Sequence, residues 1–121
     1  MTKAVFFDVD FTLIYPGPTF GAAGYRLFSE RHGLSVDTAR FDTAVAAASC
    51  ELEVGEDTSY RRELFVRYAR RVIEEMGGSG SGLDACAQEI YEAWAVCRHF
   101  SLYDDVKPVV RQLHGSGLRL R

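Results

Sequence analysis

An apolar run that ends in two aspartates, VFFDVDFTLIY at residues 5–15, constrains this chain more than any other stretch. Burying one unpaired carboxylate is costly and two side by side repel, so Asp8 and Asp10 need either solvent or a cation. Both conditions are met at the end of a strand. Residues 3–8 (KAVFFD) gather apolar and aromatic side chains without helical spacing, which predicts a short strand buried on both faces, as in a parallel sheet covered by helices. Asp8 and Asp10 have the same parity on an extended segment, so they share one side or line one opening. In open α/β sheets ligands bind beyond the carboxyl ends of the strands, where this pair falls.

Next comes YPGPTFG, in which Pro16 and Pro18 exclude helix for the residues before them and Gly17 permits a tight bend. From Thr19 to about Phe100 the pattern is helical. Thr19 is a candidate cap for a helix running to His32, with Gly33 past its end, and Ser35 for a second one through Glu53 whose stripe is Phe41, Val45, Ala48 and Leu52. Leu64, Phe65, Tyr68, Ala69, Val72, Ile73 and Met76 keep to one side of a third helix, from about Thr58 to Met76. Leu83, Cys86, Ala87, Ile90, Trp94 and Cys97 repeat the pattern in a fourth. GGSGSG at 77–82 has no side chain able to pack and reads as a flexible connector; the Lys-Ser/Thr pair of a phosphate loop does not follow it.

SLYDDVKPVVRQLHGSG then predicts a helix with Asp104 or Asp105 near its start, Pro108 in its first turn and Val106, Val109, Val110 and Leu113 on its apolar side. Gly115 and Gly117 stop it, and LRLR has the alternation of a strand just begun. The chain thus divides into residues 1–16, 17–100 and 101–121.

A length of 121 residues suits one domain with a core of its own, and 47% hydrophobic with 26% charged residues excludes disordered and collagen-like classes. A net charge of −3 offers no field to attract nucleic acid or anionic membrane. No run approaches the length of a membrane span, and the N-terminus turns acidic before a signal-peptide core is complete, so a cytoplasmic location is expected. Cys50, Cys86 and Cys97 lack CxxC spacing and read as reduced core thiols. Arg61, Arg62, Arg67, Arg70 and Arg71 share a polar face with Glu63, Glu74 and Glu75, which predicts a salt-bridged surface. His32, His99 and His114 fall near helix ends and read as caps, while Trp94 and Tyr91 read as helical core.

Two acids at this spacing invite a hard divalent cation, and magnesium commonly takes one or two carboxylates with phosphate oxygens and water. One aspartate can then attack phosphorus, and the other can protonate the leaving oxygen and later activate water.

VFFDVDFTLI resembles the first motif, DxDxT with an apolar flank, of the haloacid dehalogenase (HAD) superfamily, most of whose members are magnesium-dependent phosphatases. The helical segment is similar to the cap inserted after that motif, and YDDVKPVVRQLHGSGLRL to the helix and strand that lead back to the core. The resemblance implies an α/β, Rossmannoid core, represented by its first strand and the start of its second, with an inserted helical cap. It implies Asp8 as nucleophile and Mg²⁺ ligand, Asp10 as general acid/base offering its backbone carbonyl to the metal, and Thr12 as a brace for the loop. The N–H groups of Val9 and Asp10 would point at the phosphoryl group of a small phosphorylated metabolite. A Ser or Thr, a Lys and an acidic pair that complete such sites would lie beyond Arg121. Haloacid dehalogenases resemble the motif but generally lack the second Asp, and glycosyltransferases carry their DxD deeper in the chain. A catalytically inactive fragment or helical interaction module is the non-enzymatic alternative. An unpaired strand edge also predicts self-association.

Overall fold

The structure, a computed structural model, describes residues 1–53 and 61–121 of a mixed α/β chain. It divides into two units, Met1–Gly17 with Phe100–Arg121, and Pro18–His99. The divisions lie one residue from the positions read in the sequence.

The helical unit contains α1 (Ala22–Arg31), α2 (Phe41–Ala48), α3 (Arg62–Glu75) and α4 (Leu83–Ala95). Helix α3 packs against both α2 and α4. Its 3.6-residue stripe buries Ala69, Val72 and Ile73, with Met76 just past its end, against Cys86, Ala87 and Ile90 of α4 and Ala44 and Ala48 of α2. Tyr25 and Phe28 add the buried side of α1. Removing a Val, Ile or Met side chain from water contributes about 1.5–3 kcal/mol each, which makes this stripe the main source of stability in the unit.

Several local expectations give way to tertiary packing. Thr19 lies in a 3-10 turn, Pro18–Phe20, and α1 starts after Gly21 without a side-chain cap. The second helix does not begin at Ser35. Asp37 instead caps a 3-10 turn, Thr38–Arg40, by accepting from the Ala39 N–H at 3.0 Å, and α2 gives way to another such turn, Ser49–Leu52, that leaves Leu52 42% exposed. The expected start of the third helix near Thr58, and part of the acidic run after Glu53, lie outside the described residues. Of the three thiols only Cys86 is in the core; Cys50 and Cys97 are exposed, and Cys97 follows the end of α4 with φ +52°. Burial pushes the Cys86 thiol above its usual range, so it stays protonated and unreactive at neutral pH.

The glycine segment is not a floppy connector. Gly77 (φ +94°) and Gly78 donate to the carbonyls of Glu74 and Ile73 at 2.9 Å, closing the end of α3. A Cβ on Gly78 would stand 2.5 Å from Cγ2 of Ile73, and one on Gly82 only 2.2 Å from the His32 carbonyl oxygen. Two segments are therefore held together by missing side chains.

The other unit contains β1 (Ala4–Val5), β2 (Ile14–Pro16), β3 (Phe100–Leu102), α5 (Val106–Gly115) and β4 (Arg119–Leu120). β1 runs parallel to β4 with Ala4 opposite Arg119 and Val5 opposite Leu120. β2 runs antiparallel to β3, with Ile14, Tyr15 and Pro16 opposite Leu102, Ser101 and Phe100. Both pairs join residues from the two ends of the unit. LRLR thus supplies a partner for the first strand within the same chain, and that strand is not a lone one. The strand is shorter than expected and is not buried on both faces, because Phe6 is 75% exposed. Pro108 lies in the first turn of α5 as predicted, while Gly115 is its last residue and Gly117 (φ +78°) turns the chain toward β4. No helix among the described residues is long and apolar enough to cross a membrane.

Arg31 and His32, at the end of α1, both contact the Glu89 carboxylate of α4. Burial raises the Glu89 pKa, but the hydrogen bonds from His32 and Arg31 and the Arg31 charge outweigh it and hold the carboxyl below its usual range. A group whose folded pKa is depressed stabilises above its unfolded value and loses that contribution as the pH falls through the folded one. Acidification below the ordinary value of 4.5 is therefore expected to remove this contribution. The loss is at most about 1 kcal/mol, because solvent screens the partly exposed pair. Urea denaturation of Glu89→Gln should show a flatter acid limb than wild type. Gly82→Ala, which drives a methyl group into a backbone carbonyl, should cost about 1–3 kcal/mol in the same measurement. Gly115→Ala, with open space at its Cβ, should not destabilise.

Candidate active site

The last ladder bond of the β1 edge runs from the Phe7 N–H to the Arg121 carbonyl at 3.0 Å. The chain then leaves the ladder. The Val9 carbonyl accepts from the N–H groups of Thr12, Leu13 and Ile14 at 3.3, 2.9 and 3.2 Å, which winds residues 9–14 into one tight turn. Phe11 takes φ +59° at its apex and donates its N–H to Ile14 at 2.8 Å. Asp10 and Ile14 form an isolated parallel bridge, so the turn leads directly into β2.

This winding brings Thr12 back to Asp8. Thr12 Oγ1 donates to Asp8 Oδ2 at 3.4 Å, a long contact that orients the carboxylate more than it stabilises the fold. Asp8, Val9, Asp10 and Thr12 are all exposed. Of the two ways to tolerate adjacent carboxylates, solvation alone is therefore sufficient. The backbone N–H groups of Val9 and Asp10 have no hydrogen-bond partner among the described residues. One turn thus presents two carboxylates, a hydroxyl and two N–H donors to the same solvent.

Asp8 and Asp10 fit a Mg²⁺-type ion in donor chemistry, since both offer hard carboxylate oxygens. They fit it incompletely in number: no cluster of three or more His, Cys, Asp or Glu side chains that could hold a metal occurs among the described residues. Such an ion would rely on water and on the ligand for its remaining contacts.

The sets judged structural in the sequence behave so. Arg62 pairs with Glu92 at 3.3 Å, Arg67 with Glu51 at 3.7 Å, Arg70 with Glu74 at 3.1 Å and with Asp84, and Arg71 with Glu75 at 2.6 Å. Trp94 packs edge-on against Phe20 with ring centroids 4.9 Å apart, and Tyr91 lies near Phe65 and under the Arg62 guanidinium. The histidines depart from the cap reading: His32 follows α1 as its C-cap residue but turns its ring to Glu89 of α4, and His99 lies past the end of α4 with its ring 6.1 Å from that of Phe20, while His114 does lie in the last turn of α5. The Arg31–Glu89 pair was not visible in the sequence, because its partners belong to different helices and no local spacing joins them.

No protein-family model matches the chain, and no curated protein shows significant similarity to it.

The left-handed backbone at Phe11 is strained for a residue with a Cβ, and the side chain is 63% exposed, so it has little packing to lose. Phe11→Gly should slow or leave unchanged hydrogen exchange at the Leu13 and Ile14 amides. Phe11→Val, whose branched Cβ resists this conformation, should speed that exchange roughly tenfold, equivalent to about 1–2 kcal/mol.

Proposed function

We propose that the chain carries the nucleophile-bearing part of a HAD-like hydrolase, a phosphatase acting on a small phosphorylated metabolite, with residues 18–99 as its cap. The observation that carries this reading is the turn at 8–12, where two solvated carboxylates and two unpartnered N–H donors follow a strand end. The unbroken Asp-Val-Asp-Phe-Thr string also favours it.

In this reading Asp8 attacks phosphorus in line with the leaving oxygen, giving an aspartyl-phosphate. Asp10 donates a proton to that oxygen, then accepts one from the water that hydrolyses the acyl phosphate. The Val9 and Asp10 N–H groups hydrogen-bond the equatorial oxygens, where charge accumulates. Thr12 keeps the Asp8 carboxylate oriented between turnovers. Mg²⁺ held by Asp8 and Asp10 would supply electrostatic relief of the repulsion between carboxylates and phosphate. The second carboxylate favours phosphoryl transfer over halide displacement, since a departing halide needs no proton.

The test is p-nitrophenyl phosphate turnover by the natural full-length protein. Asp8→Asn should lose activity by on the order of 10⁴-fold or more, and Asp10→Asn by about 10²–10⁴-fold. Chelation of magnesium should abolish turnover, and re-addition should restore it. Full activity in Asp8→Asn would refute the nucleophile assignment.

A further inference from the structure

We infer that the groove between α1 and α4 is a binding site for a small anion with an apolar body, separate in chemistry from the aspartate turn. The groove has a volume of about 480 Å³, within the range of small-molecule sites. Its walls are apolar: Ala23, Leu27 and Phe28 from α1 and Ala93 from α4. Leu27 is 53% exposed there, a large side chain with nothing covering it. Arg31 and His99 supply the groups able to carry positive charge, and Glu89 is the single carboxylate in the lining.

What makes the groove more than a surface depression is the way Arg31 is held. Its guanidinium carbon lies 4.6 Å from the Phe28 ring centroid, and its Nη2 contacts Glu89. Stacking and ion pairing fix the plane of a side chain that otherwise loses much rotamer entropy on binding a ligand. Its Nε and Nη1 donors have no partner among the described residues. Both Glu89 oxygens, by contrast, are engaged, one by Arg31 and the other by His32. Apart from the neutral Thr19 hydroxyl, the vacant polar side-chain capacity of the groove is therefore cationic. A carboxylate or phosphate would meet Arg31, and an aryl or short alkyl body would cover Leu27, Ala23 and Ala93.

The experiment titrates phenylacetate into the ¹⁵N-labelled chain and follows amide shifts. Saturable shifts are expected in α1 and α4, around Leu27, Arg31 and Ala93. Phenyl phosphate should bind the same residues, its strength relative to phenylacetate identifying the preferred headgroup. Arg31→Gln should weaken phenylacetate by on the order of tenfold, as expected for a charge-assisted hydrogen bond. Ala93→Phe, which fills the groove and leaves the Arg31–Glu89 pair intact, should abolish the shifts; retained helical circular dichroism in each variant excludes unfolding as the cause. Asp8→Asn should bind as wild type does, so this inference and the phosphatase reading fail independently. Equal binding of benzyl alcohol, equal binding of inorganic phosphate, wild-type affinity in both groove variants, or shifts confined to residues 6–11 would overturn it.

Discussion

Both strand pairings among the described residues are non-local, and that dependence governs the rest of the fold. β1 pairs with β4 and β2 with β3, so neither ladder can form until residues 100–121 return to residues 4–16. Closing a long flexible loop costs entropy before any ladder bond compensates. The intervening segment, however, has a core of its own, with Val72, Ile73, Met76 and Cys86 fully buried. A folded insert replaces a long disordered loop by a fixed separation of its ends. The short strands, and with them the turn that carries Asp8 and Asp10, therefore depend energetically on a hydrophobic stripe that lies elsewhere in the sequence.

The aspartate turn illustrates how backbone bonding can create chemistry without burial. Three N–H groups spent on the single Val9 carbonyl fold residues 9–14 back, leaving the donors of Val9 and Asp10 outside the ladder. The same winding returns Thr12 to Asp8. Both carboxylates are exposed to solvent, and only Asp8 has a side-chain partner, the Thr12 hydroxyl, which suits groups that must later meet an electrophile and a cation. A buried pair would have demanded compensation within the fold.

What the sequence made legible follows from the range of the interactions involved. The stripes of α3 and α4 were readable because 3.6-residue periodicity is local and strong, and the Asp8–Asp10 pair because its residues lie close in sequence; the turn at 9–14 and the strand Ile14–Pro16 were not, since Pro16 and Gly17 signalled a bend there instead. Helix starts were less readable: Thr19 and Ser35 have capping chemistry, but Asp37 caps instead, because the 37 N–H is already drawn to the Met76 carbonyl at 2.8 Å. The segment 77–82 misled most. Glycine reads as freedom in isolation, yet here Gly78 and Gly82 mark places where Ile73 and the His32 carbonyl approach too closely for a side chain. The Arg31–Glu89 pair was illegible for the same reason, being defined only once α1 and α4 meet.

The unit that carries the aspartates differs in kind from the helical one. Phe6, Val9 and Phe11 alternate with or flank Asp8 and Asp10, and they are 75%, 49% and 63% exposed. Apolar and acidic side chains therefore compete for the same environment. Covering the phenylalanines would exclude water from the carboxylates and lower the local dielectric, which raises the free energy of two adjacent anions. That increase is offset only by a cation, by hydrogen-bond donors, or by proton uptake. If the pair holds a cation as proposed, covering Phe6 and Phe11 would strengthen that hold. In a site of the proposed kind, closing over the substrate and binding its counter-ion would be one energetic event.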